Sequence, residues 1–174
     1  MKVLRFTKLA IYLTIGVLLG VFHVFIIDNL SFTLPIIMIL YGIEAVSMAV
    51  YYHRKDFHIQ HRFYWGLVEV LLGIVVLVAV VDFEVTCIVW AIWAILREAE
   101  EIREAVETRD SLITSIIVIA IGIINMVFSV LLIIHPGEHH ATIHLYLLIV
   151  ELAIASIVPI IDYYVYHVDH KNAI

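Results

Sequence analysis

The sequence predicts an all-α membrane protein: six transmembrane helices as three tandem helical hairpins, with both termini cytoplasmic. Three observations carry this prediction. First, 64% of the 174 residues are hydrophobic and 15% are charged, against about 45–50% and about 25% in soluble domains. A chain this short cannot bury so much apolar surface in a water-facing globule, and its mean hydropathy is +1.08. Second, apolar segments approaching the roughly 20 residues that a span needs recur six times. Third, every Lys and Arg falls on alternate connections. The same composition excludes a soluble enzyme, a disordered tail and a nucleic-acid-binding module. The net charge of −6 has the wrong sign for gripping phosphates. A lone cysteine, Cys87, excludes an internal disulfide framework and a Cys-based zinc site.

The six segments are Leu9–Ile27, Leu34–Tyr52, Phe63–Val81, Val85–Leu96 with a charged continuation, Leu112–Ile134 and Ala141–Ile161. Asp28–Asn29 with Ser31 and Thr33 closes the first hairpin, and Pro35 suits the first turn of the second helix. Asp82–Phe83–Glu84 closes the second hairpin, and His135–Pro136–Gly137 the third, because Pro and Gly end helices. The hairpins cover about 9–52, 63–107 and 112–162 of a single domain, 1–174.

Lys2, Arg5, Lys8, Arg54, Lys55, Arg62, Arg97, Arg103, Arg109 and Lys171 are all the basic residues, and all fall on one side. The positive-inside bias makes that side cytoplasmic. The first segment has a basic start, but no small-residue cleavage site follows, so it reads as an uncleaved span. Tyr51, Tyr52, Phe63, Tyr64 and Trp65, with Tyr163, Tyr164 and Tyr166, fit an aromatic belt at that interface.

The hairpins align with one another. Leu18-Leu19-Gly20, Leu71-Leu72-Gly73 and Ala120-Ile121-Gly122 match across the odd helices, which makes Glu44, Arg97 and Glu151 equivalent positions. With these three hairpins, a Gly near the middle of each odd helix, Leu40-Tyr41-Gly42-Ile43 and Ile134-His135-Pro136, the chain resembles the HdeD-like acid-resistance membrane proteins. The resemblance implies a six-helix bacterial inner-membrane protein of stress or acid tolerance, and it supplies no catalytic residues. The acidic run Glu98–Glu107 and the histidine-rich turn depart from that pattern.

Small and polar residues form one stripe per helix at helical spacing, as expected of seams between helices in lipid. The stripes are Gly16, Gly20 and His23; Glu44, Ser47 and Tyr51; Gly66, Glu69 and Gly73; Trp90, Trp93, Arg97, Glu101 and Glu104; Ser115, Gly122, Asn125 and Ser129; and Glu151, Ala155 and Asp162. Gly16 and Gly20 form a GxxxG that would suit a homo-oligomer.

The charges within spans are the main candidate site: Glu44, Glu69, Arg97 and Glu151. Glu44 lies about 15 Å into its span at ~1.5 Å per residue. An ionised residue there costs about 2.5–3.5 kcal/mol, so it must pair, protonate or line water. A structural Arg97–Glu clamp and a protonatable relay both satisfy that requirement. Beyond Arg97 the run Glu98–Asp110 keeps a helical pattern, with a narrow apolar face of Ala99, Ile102, Ala105 and Val106. That face is either a solvated helix end or a docking surface for a protein partner.

His135, His139, His140 and His144 crowd the third outer turn. Histidine titrates near pH 6.5, so they are candidate pH-sensing residues. Their spacing matches no familiar metalloenzyme, and no metal or other cofactor is expected. With no Ser–His–Asp set, P-loop or dinucleotide fingerprint, the expectation is a non-enzyme. Two functions stay open. One is a stress-tolerance protein acting through interaction or membrane presence. The other is a small proton-coupled transporter or channel using the intramembrane carboxylates.

Overall fold

The computed structural model of the chain describes residues 13–52, 57–79, 81–108 and 112–172. These are helical almost throughout: α1 (13–21), α2 (His23–Asp28), α3 (Leu30–Tyr52), α4 (Phe57–Ala79), α5 (Phe83–Thr108), α6 (Leu112–Ile134) and α7 (Glu138–Asn172). Lys2, Arg5, Lys8, Arg54, Lys55 and Arg109 lie outside the described residues, as do the side chains of Tyr51, Tyr52, Ala155, Asp162, Tyr163, Tyr164, Tyr166 and Lys171.

Three described helices contain segments long and apolar enough to cross a membrane: Leu30–Ser47, His61–Ala79 and Thr114–Ile134, with mean hydropathies of 1.7, 1.9 and 3.0. Their outward faces stay apolar. Leu40, Leu71, Val75, Val78, Ile116, Ile123 and Val127 are all exposed. A surface of that kind is suited to lipid. In α5 the apolar stretch ends at Arg97, and the helix runs on through the acidic segment to Thr108, as its charge spacing predicts.

The sequence marks where helices begin. The backbone N–H of Val85 donates to Asp82 Oδ1 at 2.8 Å, which makes Asp82 the N-cap of α5. After α6, His135, Pro136 and Gly137 break the helix, and α7 starts with the N–H of Ala141 bonded to the Gly137 carbonyl at 3.0 Å. At the first turn the boundary differs from expectation. The N–H of Thr33 already bonds to the Asn29 carbonyl at 2.9 Å. Helix α3 therefore starts at Leu30 and holds Pro35 inside it, beyond its first turn.

The chain divides into two compact units, Asp28–Cys87 and a second that includes Ile88 onwards with the residues ahead of Asp28. In the first unit α3 and α4 approach at backbone distance. A Cβ added to Gly66 would lie 2.7 Å from the Gly42 carbonyl oxygen, and one on Gly73 would lie 2.8 Å from the Pro35 carbonyl oxygen. The stripe expected on the third apolar segment is indeed inward: Gly66, Glu69, Gly73 and Val76 are buried. The stripe expected on the second is not. Glu44 and Ser47 are exposed, and the buried face is Leu34, Met38, Gly42, Ala45 and Ala49. Small residues win that contact because backbone proximity multiplies dispersion contacts.

In the second unit, α1 meets α7. Cβ atoms on Gly16 and Gly20 would lie 3.9 Å from Leu152 Cβ and Ile149 Cδ1, an ordinary contact distance. The GxxxG thus faces a helix of its own chain.

Candidate functional site

The polar centre of the second unit is built by α5, α6 and α7. Asn125 lies eleven residues after Thr114 and nine before Ile134, near the middle of the most apolar candidate span. Its side chain is 3% exposed. The amide Nδ2 donates to Glu98 Oε1 at 2.7 Å and to Glu151 Oε2 at 2.9 Å. Glu98 and Glu151 thus share one donor. Glu101 completes the group: one carboxylate oxygen from each of Glu98, Glu101 and Glu151 lies within 4.8 Å of the others.

Local sequence explains the convergence. On α5, Ala91, Glu98 and Ala105 are spaced by seven residues and all are buried, so Glu98 occupies the apolar seam of its helix. On α6, Gly122 keeps the neighbouring turn bare. A Cβ there would lie 3.1 Å from Glu98 Oε2 and 3.0 Å from Ile102 Cδ1. Ser129 Oγ donates to the Asn125 carbonyl at 2.8 Å, and Ser115 Oγ donates to the Ala105 carbonyl at 2.9 Å, tying α6 to the acidic end of α5.

The structure divides the predicted charge set. Glu151 is in the group. Arg97 borders it, with NH2 3.3 Å from Glu101 Oε1, its guanidinium 5.7 Å from the Trp93 ring, and side-chain exposures of 31% and 39% for the pair. That is a part-exposed i,i+4 contact. Such pairs contribute about 0.3–0.5 kcal/mol. Glu44 and Glu69 belong to the first unit, Glu44 exposed and Glu69 buried. The stripe read from the sequence includes Glu101 but leaves Glu98 in the charged continuation. The seven-residue spacing was the signal that marked Glu98 as inward.

Further along, Arg103 contacts Glu100 and bonds to Glu107 Oε2 at 2.7 Å. The hydrogen bond to Glu100 pushes the Arg103 guanidinium further toward its charged form. The apolar face read as either a solvated helix end or a docking surface is partly used within the chain. Ala105 is buried and Ile102 packs at Gly122, while Ala99 and Val106 stay exposed.

The histidines also separate. His135 and His140 stack at 5.9 Å and His139 meets His140 at 5.6 Å, forming one cluster at the α6–α7 turn. His144 is 5% exposed, with its ring edge against Trp90 at 4.8 Å and Nδ1 without a hydrogen-bond partner. It points inward, not to the turn.

Compared with known proteins, the chain matches no family model, no curated protein and no solved structure. Of what the HdeD-like resemblance implies, the all-helical architecture and three candidate membrane spans stand; acid resistance receives no support from the comparisons.

Proposed function

We propose that this is a non-catalytic, six-span bacterial inner-membrane protein, with both termini cytoplasmic, that binds and passes protons at Glu98, Glu101 and Glu151. The observation that carries the reading is the convergence of the Glu98, Glu101 and Glu151 carboxylates beside the buried Asn125 amide, which bonds to two of them. Carboxylates this close repel one another when all are ionised, and a bound proton relieves that repulsion. Asn125, which bonds to both Glu98 and Glu151, lies midway along a candidate span. Arg97 and Glu101 from α5 border these two carboxylates. An ionisable group at that depth marks an ion or proton pathway by default. A membrane site that takes up protons also suits acid stress, the setting the resemblance implies.

Proteoliposomes holding a pH-sensitive dye test this under an imposed membrane potential. Wild-type protein is expected to admit protons, and Glu98→Gln and Glu151→Gln each to reduce the flux to that of empty vesicles. Wild-type flux in both variants would overturn the proposal.

Orientation has its own check. Single cysteines at Asn29 and Gly137 are expected to react with a membrane-impermeant thiol reagent from outside intact cells, and cysteines at Lys55 and Arg103 only after lysis. Outside labelling at Lys55 would reverse the topology.

A further inference from the structure

We propose that Glu98, Glu101 and Glu151, with the amide of Asn125, form a site for one hard divalent cation, of the Mg2+, Ca2+ or Mn2+ class. The inference rests on the preceding reading that this group is an ion site, and it names a second occupant that competes with the proton.

Three features support it. The first is spacing. Three oxygens no more than 4.8 Å apart share a centre at most about 2.8 Å from each, close to the roughly 2.3–2.6 Å of Ca2+–oxygen bonds. Small side-chain adjustments close the difference. The second is donor chemistry. The group offers only carboxylate and amide oxygens, the set preferred by hard cations over zinc or copper. The third is Asn125. Its side chain is 3% exposed and its Oδ1 has no hydrogen-bond partner, an uncommon state for a buried acceptor. The same amide reaches both Glu98 and Glu151 through Nδ2. Half a turn of the amide presents Oδ1 to the carboxylates' common centre and adds a fourth oxygen. Such a turn is adverse while the centre holds only carboxylate oxygens, and favourable once it holds a cation.

Charge leads to the same conclusion. Three carboxylates beside the single guanidinium of Arg97 leave two negative charges when fully ionised. Two protons or one divalent cation neutralise them, so metal entry displaces protons. Gly122 leaves space beside the group on α6, where a Cβ would lie 3.1 Å from Glu98 Oε2.

The test uses purified full-length protein in detergent, stripped with a chelator and titrated with Mn2+. Free Mn2+ is read by electron paramagnetic resonance, and Ca2+ and Mg2+ serve as competitors. One Mn2+ per chain is expected, displaced by Ca2+ or Mg2+ and released as pH falls. Glu98→Gln and Glu151→Gln are expected to weaken binding by about tenfold or more. Asn125→Asp, which replaces the amide with a ligand of the same shape, is expected to keep it. Absence of saturable Mn2+ binding to the wild type overturns the proposal, and so does binding that both glutamine variants retain. Proton flux in vesicles without Mn2+ binding sinks the cation site and leaves the proton reading standing. Mn2+ binding without flux does the reverse.

Discussion

Gly66→Ala is expected to lower the stability of the purified protein by about 2–3 kcal/mol, the upper part of the usual overpacking range. The new methyl would lie 2.7 Å from the Gly42 carbonyl oxygen, 2.9 Å from Ala45 Cβ and 3.0 Å from Val46 Cγ2. The first two obstacles cannot swing aside, since one is backbone and the other is fixed to it. Helices α3 and α4 must therefore separate, and every contact along their seam is weakened. Gly20→Ala is the control. Its methyl would meet only Ile149 Cδ1, at 3.9 Å, so the change is expected to be neutral or slightly stabilising through helix propensity. Thermal unfolding in detergent, followed by circular dichroism, distinguishes the two. Equal midpoints for Gly66→Ala and wild type would mean that α3 and α4 do not pack at backbone distance.

Asn125→Leu is expected to cost about 2–4 kcal/mol, because hydrogen bonds to charged groups contribute about 1.5–3 kcal/mol each. The leucine preserves volume but removes the donor shared by Glu98 and Glu151, at 2.7 and 2.9 Å. Part of the loss is offset, since the unpartnered Oδ1 disappears as well. The decisive measurement is a double-mutant cycle with Glu98→Gln. Groups sharing one network couple by about 0.5–3 kcal/mol, whereas independent sites add. Strict additivity would show that the amide and the carboxylate do not act together. The deficit of Asn125→Leu should also narrow in acid, because a protonated carboxyl depends less on an outside donor.

How much of this site could be read from the sequence depended on the type of signal. Glu151 and Asn125 were identified because a polar residue is conspicuous in an apolar run. Glu101 was legible as part of the Trp90–Arg97 stripe, whereas Glu98 was hidden among the charges of Glu98–Glu107. A residue in a charged segment reads as solvated, yet Glu98 falls on the Ala91–Ala105 line and turns inward. Glu44 shows the opposite error. The stripe reading placed it on the inward seam of its helix, but it is exposed on α3. The helical period says which residues share a face. It does not say which of two small-residue faces a helix will bury.

Composition and hydropathy by themselves determined that the chain is helical, apolar on its outside and suited to a bilayer, because those properties are sums over residues. Asp82 as a cap and Pro136–Gly137 as a break were also fixed locally, since a cap or a break needs only its neighbours in the chain. Tertiary structure alone decided that Gly42 faces Gly66, that His144 leaves the histidine turn for Trp90, and that carboxylates 53 residues apart at 98 and 151 meet over one amide. Such pairings turn on how closely two backbones can approach and on where a buried charge finds a partner, and both depend on residues distant in the chain.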